Sequence, residues 1–539
     1  DGIMAERHSS LLNKIQFAGL TRPILYLAYD RIPQETENKL KEALLCGAFP
    51  SITYGGAICQ NLDEKYVSLF DLMKGRKWVL TDNPIVTPEG LRGNIFQTPD
   101  GDYIATVISP EKSQLLPHPF DYDIPITITL PDANEIKHVY LLSGDWSGIN
   151  ELPFETKKST IHINLPQHLS SSLAYLTKKS KYEIVRLSSV ILIKGQSNEF
   201  IFKVYNRSAG ENPTFKIETP WFSKTKALNS NITKFQIEIP EDVEGKTTIS
   251  VMYNGAEYKF TSWIVDPVSI APKEDIFVHC RYGENIPFYC VNNLPTKTTV
   301  NLAGKLITEH GKIKVPRKII LKPRESKEID IFVESGNNGV VQLNVTTGEK
   351  TFTKSFPVKT GLSFSNDDLF HDDFKYDMKK WMIYRGEWQV SNSIAMAKGS
   401  SHFAFIQSNT WNDYVVEAKV VCRGSNNPVI DWLKCYIFFR LQNEKNFYRF
   451  GIHGDAGVID LYKCVNGKWG KLTSSVFMPK KDKWYALRIQ VRGTKITGFL
   501  NGHKILEAND GTFPSGGIGI GVLEDATRCE YKDIVVKKF

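Results

Sequence analysis

The sequence predicts a mainly β, multidomain protein with a partial (β/α) barrel at its N-terminus, antiparallel β-sandwiches after it, and a jelly-roll sandwich at its C-terminus. Three observations lead to this prediction. The chain has 539 residues, and a single hydrophobic core stops growing beyond roughly 250 to 300 residues. Strand and helix patterns alternate only within residues 1–84. Short strand patterns separated by turn residues fill the remainder, which is typical of antiparallel sheets.

The composition is that of a folded globular chain, and it argues against several functions. Hydrophobic residues make up 41% and charged residues 23% of the chain, which is ample material for cores. The net charge of +8 is dispersed without a long Lys/Arg block, so nucleic-acid binding is not expected. A run of about 18 apolar residues is missing, so a membrane span is not expected. The chain opens at Asp1 without a leader, so we expect a mature product or a fragment.

The first segment, residues 1–84, is predicted to alternate between strands and helices. Strand patterns follow the opening residues at 23–30 and 50–55, and helix patterns occupy residues 8–20, 34–48 and 61–74. This order implies parallel strands, and three strands cannot close a barrel by themselves. We therefore expect the last turns of a larger (β/α) barrel, which an upstream segment or another chain completes.

Three all-β segments follow, at residues 85–187, 188–266 and 267–362. In the first of them, strand patterns alternate with Pro-Asp-Gly and Ser-Gly-Asp turns, which predicts an antiparallel sandwich. The other two repeat a similar length of alternating strands, as at residues 199–205 and 327–333. Their length and strand density predict immunoglobulin-like spacers.

The last segment, residues 366–539, contains the densest series of strand patterns. Asn501-Gly502 between two of them is a type I′ turn signal. Many closely spaced strands predict a two-sheet sandwich. The polar residues 363–368 are the expected linker to the preceding spacer.

The eight cysteines include two pairs whose spacing suits neighbouring strands. Cys280 with Cys290, and Cys422 with Cys435, are candidates for disulfides across hairpins, provided that their Cα atoms approach within about 7 Å. The alternative is that most of the cysteines are buried free thiols. Both interpretations remain open at the level of the sequence.

Several motifs in residues 366–539 carry a resemblance. They are DDF at 372–374 with Trp381 and Trp388, FFRL at 438–441, NFYRFG at 446–451, WYALR at 484–488, FLNG at 499–502 and GGIGIG at 516–521. With these motifs the segment resembles the concanavalin-A-like superfamily, in its laminin-G-like and levan-binding branch. The resemblance implies a jelly-roll-like sandwich that is often sugar-binding and usually not catalytic.

Sugar binding needs aromatic rings that stack on the sugar and polar groups that fix its hydroxyls. The candidate rings and polar partners in this segment are Trp411, Tyr414, Trp432, Tyr448, Trp469, Arg440, Arg449, Asp455 and Asp460. For each ring the alternative is a place in the core of the sandwich. We expect the core for Trp381 and Trp388.

Acidic residues at the start of the segment suggest a calcium site. Asp372 and Asp373, with Asp367 and Asp368 just before them, supply the oxygen ligands that calcium prefers. The Asp-x-Asp-x-Asp-Gly spacing of a calcium loop is missing, so a solvated linker is the favoured interpretation. No other cofactor is expected, because the common nucleotide, esterase and zinc-protease motifs are missing.

The N-terminal segment carries a second resemblance. Its motifs are DGIMAE at 1–6, LYLAYD at 25–30 and ALLCGAFP at 43–50, followed by GDYIATV at 101–107. The segment resembles the final barrel turns and C-terminal sandwich of α-galactosidase-like glycoside hydrolases. The resemblance implies that Glu6 and Asp30 stand at the ends of strands, where barrel enzymes keep catalytic carboxylates. The alternative for each carboxylate is helix capping.

Together these features predict a secreted, extracellular or cell-surface protein that binds polysaccharide or oligosaccharide and takes part in degrading it. In this hypothesis the C-terminal module holds the polymer near a catalytic barrel. Whether the chain is itself an enzyme stays open. The alternative is a noncatalytic adhesion or structural protein whose sandwich domains bind glycans or proteins.

Overall fold

The computed structural model describes residues 3–5, 24–27, 33–51, 62, 66–81, 83–110, 112, 119–205, 214–279, 283–425, 433–522 and 527–539. Strands dominate these residues, which confirms a mainly β architecture built of several sheets. The helices in this part of the chain are too short or too polar to span a membrane.

The first segment forms a small parallel sheet. Its elements are β1 (Ile3–Ala5), β2 (Ile24–Leu27), α1 (Pro33–Cys46) and β3 (Phe49–Ser51). The strands pair in the order β1-β2-β3, all parallel, as strand–helix alternation requires. The described strands form an open sheet, so the barrel itself remains a prediction. The predicted helix at residues 8–20 lies outside the described residues.

Helical residues of the first segment pack onto the sandwich that follows. Leu44 of α1, with Tyr66 and Met73 of the next helical stretch, joins a core that includes Phe96 and Tyr140 of the sandwich. Burial of these side chains holds the first segment and the sandwich together.

The end of the first segment, the second segment and the third segment share a sheet. Their strands are β4 (Lys77–Trp78), β5 (Ile85–Val86), β6 (Arg92–Gln97), β7 (Tyr103–Ile108), β8 (Ile124–Thr129), β9 (His138–Leu142), β10 (Asn150–Glu151), β11 (Phe154–Lys157), β12 (Thr160–Leu165), β13 (Ser171–Thr177), β14 (Ile184–Arg186), β15 (Ile191–Ile193), β16 (Ser197–Val204), β17 (Thr214–Thr219), β18 (Phe222–Ala227), β19 (Ile232–Glu238), β20 (Gly245–Tyr253) and β21 (Ala256–Val265). A nine-stranded sheet runs β19-β16-β14-β10-β9-β13-β7-β6-β4. Sheets β11-β12-β8-β5 and β15-β21-β20-β17-β18 pack beside it.

The fourth segment is a two-sheet sandwich. Its strands are β22 (Val268–Pro272), β23 (Ile276–Val278), β24 (Glu284–Asn292), β25 (Thr298–Ile307), β26 (Gly311–Lys314), β27 (Lys318–Leu321), β28 (Ser326–Ser335), β29 (Gly339–Thr347) and β30 (Lys350–Thr360). They form the sheets β22-β24-β28-β26 and β23-β30-β29-β25-β27. Every second residue of β28 from Ile329 to Ser335 is buried, which gives each sheet one face toward the shared core.

The C-terminal domain is the largest sheet structure. Its strands are β31 (Phe370–Asp372), β32 (Met382–Ser391), β33 (Ile394–Ile406), β34 (Tyr414–Ser425), β35 (Lys434–Asn443), β36 (Asn446–His453), β37 (Val458–Val465), β38 (Lys468–Val476), β39 (Trp484–Arg492), β40 (Lys495–Leu500), β41 (His503–Asn509), β42 (Gly517–Val522) and β43 (Thr527–Lys538). Eleven of them pair in the order β38-β37-β36-β35-β42-β33-β43-β34-β39-β40-β41, while β31 pairs with β43 and β32 pairs with β33. The long strand β33 pairs with β42 at one end and with β43 at the other. It therefore joins the strands from β38 to β42 in this order to the strands from β43 to β41.

The predicted linker at residues 363–368 is tied down at both ends. The amide of Leu362 donates to Glu417 Oε1 at 2.7 Å. At the other end, Asp368 accepts hydrogen bonds from the amide and hydroxyl of Ser365, both at 2.8 Å, and pairs with Lys537 of the C-terminal domain at 3.3 Å. The connection to the C-terminal domain is therefore an anchored turn.

Candidate functional site

A polar cluster lies on one face of strands β35 to β38. Residues paired across an antiparallel sheet point to the same side, so register decides which side chains meet. Arg449 pairs with Tyr462, and Gly451 lies between Tyr436 and Asp460. The side chains that share this face, named here the Arg449 cluster, are Tyr436, Arg449, His453, Asp460, Tyr462 and Trp469.

Arg449 is the centre of this cluster. Its guanidinium carbon lies 4.0 Å from the centroid of the Tyr436 ring, 4.8 Å from that of Tyr462 and 4.9 Å from that of Trp469. The side chain is 3% exposed, and Nη2 donates to Asp460 Oδ1 at 3.3 Å. The carboxylate and the ring faces offset the cost of burying the cation, and they hold the guanidinium in one position.

Asp460 also binds His453. Oδ2 of this buried carboxylate is 2.7 Å from Nδ1 of His453, whose ring is partly exposed. A carboxylate accepts, so Nδ1 carries the proton and Nε2 carries the lone pair in the neutral ring. A histidine oriented in this way has the chemistry of a general base.

Aromatic rings cross the same sheet from edge to edge. Trp469 contacts Phe447 at 5.5 Å between centroids, Phe447 contacts Phe438 at 5.2 Å, and Phe438 contacts Phe403 at 4.6 Å. Phe403 in turn contacts Tyr384 on β32 at 6.3 Å. The two end rings are exposed, Tyr384 by 44% and Trp469 by 40%. Exposed rings beside fixed polar groups are what sugar recognition uses.

Arg440 and Tyr414, two of the sugar-binding candidates, are bonded inside the domain. Arg440 is 1% exposed and donates to the backbone carbonyls of Asn412, Gly493 and Phe513. The Tyr414 hydroxyl accepts from the Arg440 amide at 2.7 Å. Burial raises the pKa of Tyr414 well above its usual range. These contacts favour a structural role for both side chains.

Tyr448 points to the opposite face of β36 from Arg449, because neighbouring residues of a strand alternate. Its ring stacks on Phe439 at 5.2 Å, and its hydroxyl donates to Asp510 Oδ1 at 2.6 Å. Burial, together with this carboxylate, raises the pKa of Tyr448 to about 12. Trp411 is half-buried and packs against Tyr414.

The structure does not describe the side chains of the remaining predicted site residues. Trp432, Glu6 and Asp30 lie outside the described residues, as does the side chain of Asp455. The structure therefore brings together Arg449, Asp460 and Trp469 of the predicted sugar site.

The predicted calcium ligands are engaged in turns. Asp372 is 3% exposed; it accepts from the Phe374 amide at 3.1 Å and from Trp381 Nε1 at 2.8 Å. Asp373 accepts from the Lys375 amide at 3.2 Å. Oxygens that accept N–H donors are not arranged as a calcium cage. Among the residues that the structure describes, no group of three or more His, Cys, Asp or Glu side chains has a metal-holding arrangement.

Sequence reasoning missed His453, Tyr436, Tyr462 and Tyr384. The available signal was the alternation of residues 447–453, which puts Phe447, Arg449 and His453 on one side of a strand. An open cleft of about 600 Å³ between segments was also missed; Lys112, Asp121, Tyr289 and Lys480 are among its lining residues. Its lining comes from distant parts of the chain, so no local motif indicates it.

Comparisons with known proteins concern part of the chain. Residues 367–537 match the family model of the 3-keto-alpha-glucoside-1,2-lyase-like domain. No curated protein matches the chain.

Similar solved structures are small relative to this chain. A carbohydrate-binding module from Bacillus subtilis is 16% identical over 30% of this chain and 97% of its own, with a TM-score of 0.26. A Bacillus subtilis protein of unknown function with a galectin-like fold is 14% identical over 32% and 96%, with a TM-score of 0.26. A Bacillus licheniformis β-glucanase is 9% identical over 32% and 100%, also with a TM-score of 0.26.

Proposed function

We propose that the C-terminal domain binds a saccharide across the Arg449 cluster. The observation that carries the proposal is Arg449, held between ring faces and Asp460, directly beside the exposed indole of Trp469. Trp469 offers a platform for the apolar face of a sugar ring, and the ion-paired guanidinium fixes hydroxyl or carbonyl oxygens. The match of residues 367–537 to a glucoside-processing domain supports an α-glucoside as the ligand class.

Calorimetric titration of the full chain with α-glucosides and with their 3-keto derivatives tests this proposal. We expect saturable binding that Trp469→Ala weakens about tenfold, which corresponds to about 1.4 kcal/mol and lies within the roughly 0.5 to 1.5 kcal/mol that aromatic stacking contributes. Trp411→Ala, a half-buried tryptophan away from the cluster, is the matched control and is expected to bind normally. The proposal is contradicted if neither ligand type binds at millimolar concentration.

A second function is favoured by the His453–Asp460 pair. In this proposal the domain eliminates the aglycone from a 3-keto-α-glucoside. The C3 ketone acidifies the proton on C2, and His453 Nε2 removes that proton. The C1=C2 double bond then forms as the C1–O bond breaks, and the departing oxygen takes up a proton. In this proposal Arg449 stabilises the negative charge that develops on the ketone oxygen.

Incubation with a 3-keto-α-glucoside separates this reaction from simple binding. The product is an enone that absorbs in the ultraviolet, so its formation is followed directly. We expect His453→Asn to abolish turnover and to leave calorimetric binding within about threefold of the unmodified chain. Binding without any turnover by the unmodified chain rejects the lyase function and leaves the binding function standing.

We further propose that the chain belongs to a secreted or cell-surface, polysaccharide-degrading protein whose N-terminal strands are barrel strands. The parallel pairing of β1, β2 and β3 with α1 between two of them supports this view. The alternative is a noncatalytic adhesion protein. Assaying the culture medium and the cell fraction of the source for the protein, and for polysaccharide cleavage by it, distinguishes the two.

A further inference from the structure

Three cysteines meet in the core of the C-terminal domain. Cys422 on β34, Cys435 on β35 and Cys529 on β43 are each 0% exposed, and they are named here the cysteine cluster. Cys422 pairs directly with Cys529 across β34 and β43. The sulfurs of Cys422 and Cys435 are 3.2 Å apart as free thiols. A disulfide needs an S–S distance of about 2.05 Å, so closure requires an approach of only about 1 Å.

Two further side chains surround Cys529. His402 Nε2 lies 3.0 Å from its sulfur, and the Tyr531 hydroxyl lies 3.3 Å from it. Burial opposes ionisation of Cys529, but contacts with Cys435, His402 and Tyr531 outweigh it and lower the pKa of this thiol to about 5. Burial raises the pKa of Cys435 well above its usual range. Of Cys435 and Cys529, the latter is therefore the thiol that ionises more readily.

We propose that the cysteine cluster is an oxidation site at which hydrogen peroxide closes one disulfide, between Cys422 and Cys435, and leaves Cys529 outside the disulfide. The net reaction converts two thiols and hydrogen peroxide into one disulfide and two waters. Two electrons pass from sulfur to the peroxide oxygens.

The reaction begins at Cys529, the cysteine of the cluster that has His402 Nε2 beside its sulfur at 3.0 Å. The Cys529 thiolate attacks the peroxide, its S–O bond forms as the O–O bond breaks, and the leaving hydroxide takes a proton to become water. Cys435 then attacks the sulfenic sulfur, and a second water leaves. Cys422 finally attacks the Cys435 sulfur and displaces Cys529, because the thiol with the lowest pKa is the best leaving group in disulfide exchange.

Trypsin makes the test direct, because it releases each cysteine on a separate peptide: residues 420–423, 435–440 and 529–532. The full chain is treated with hydrogen peroxide, alkylated under denaturing conditions, digested and mapped by mass spectrometry. We expect 420–423 linked to 435–440, with 529–532 alkylated, and reversal by dithiothreitol. A final product in which 529–532 is linked overturns the proposal, and so does alkylation of all three peptides after treatment.

Variants test the role of the thiolate. His402→Asn and Cys529→Ser are each expected to slow closure at least about tenfold, because the first removes the imidazole beside the attacking sulfur and the second removes that sulfur. Cys290→Ser is the matched control: Cys290 is buried in the fourth segment, and burial raises its pKa to about 12. Circular dichroism confirms that each variant folds. Unchanged rates of disulfide closure in both folded cluster variants contradict the assigned role of Cys529. If a variant fails to fold, the peptide map of the peroxide-treated unmodified chain still shows which cysteines form the disulfide.

Discussion

Two buried arginines of the C-terminal domain have different roles, one in stabilising the fold and one in the candidate binding site. Arg440 and Arg449 are both almost fully buried, on adjacent strands of one sheet. Arg440 donates mainly to backbone carbonyls from separate loops, with Asp413 Oδ1 at 3.4 Å as a further acceptor. Arg449 instead donates to the buried carboxylate of Asp460 and contacts three aromatic rings. The backbone acceptors of Arg440 indicate that this side chain stabilises the fold. The side-chain partners of Arg449, which lie beside the exposed indole of Trp469, are suited to binding a ligand.

Replacing each arginine by methionine separates the two roles. Arg440→Met leaves carbonyls of three loops without a donor, and we expect it to lower the free energy of unfolding by about 3 kcal/mol. Arg449→Met is expected to weaken saccharide binding at least about tenfold. Urea unfolding and calorimetric titration of both variants check this. Loss of binding in the folded Arg440→Met protein with normal binding by Arg449→Met contradicts the assignment.

A buried histidine in the second segment predicts acid sensitivity. His168 is bonded through its ring nitrogens to Ser109 and Ser172, at 2.9 Å and 2.8 Å. Burial, with the charges of Lys112 and Lys41, lowers the pKa of His168 to about 3. The unfolded chain binds this proton below about pH 6.5 and the folded chain does not, so stability falls as the pH falls from about 6.5 to 3.

We expect His168 to contribute a slope of about 1.4 kcal/mol per pH unit within that window. Urea unfolding of the unmodified chain and of His168→Gln at pH 7, 6, 5 and 4 measures it, with the difference between the two curves assigned to His168. The prediction fails if the two curves stay parallel.

Residue roles were only partly predictable from the sequence. Arg449 and Trp469 were proposed for the sugar site because of their side-chain types, and they lie in one cluster. Tyr436 and His453 were not proposed, since they join the cluster through cross-strand register, which a single sequence does not encode locally. The same side-chain types at Tyr414 and Arg440 are bonded inside the fold.

At the scale of elements, strands were predicted best where alternation is regular. The strand patterns at residues 199–205 and 327–333 correspond to the strands Ser197–Val204 and Ser326–Ser335. Charged residues at both ends of Thr527–Lys538 hide its strand pattern in the sequence. The predicted turn at Asn501-Gly502 is confirmed, with φ angles of 46° and 75°, the positive pair that a type I′ turn needs.

The glycine-rich strand β42 shows why small residues occupy an element. It lies between β33 and β35. A Cβ on Gly517 would stand 1.8 Å from the carbonyl oxygen of Ile406, so the two backbones approach too closely for any side chain.

Gly517→Ala is therefore expected to destabilise the C-terminal domain by about 2 kcal/mol or more, because backbone must shift to admit the methyl group. Gly470→Ala is the matched control. A Cβ there meets its nearest neighbour at 3.7 Å, so little change is expected. Thermal unfolding of both variants checks this, and equal midpoints would falsify the close-approach explanation.

At the scale of the whole molecule, the C-terminal domain is fastened to the fourth segment. Buried Glu417 accepts from the Leu362 amide and from Arg488 Nε, both at 2.7 Å. Arg488 also donates to the Thr360 carbonyl at 3.0 Å, and Lys483 pairs with Glu274 at 2.6 Å. A polar linker was predicted here from composition. Its anchoring depends on a glutamate more than 50 residues further along the chain, which composition does not reveal.

Glu417→Gln tests whether this anchor holds the two units together. The amide keeps an acceptor for Leu362 but leaves the Arg488 cation without its carboxylate. We expect limited proteolysis within residues 360–368 to run about tenfold faster, which corresponds to about 1.4 kcal/mol of easier local opening. Glu507→Gln, whose partners Lys495 and Lys504 are exposed, should leave the rate unchanged, because surface pairs contribute little. Equal cleavage rates in the unmodified chain and in Glu417→Gln would show that the two units are held by their remaining contacts.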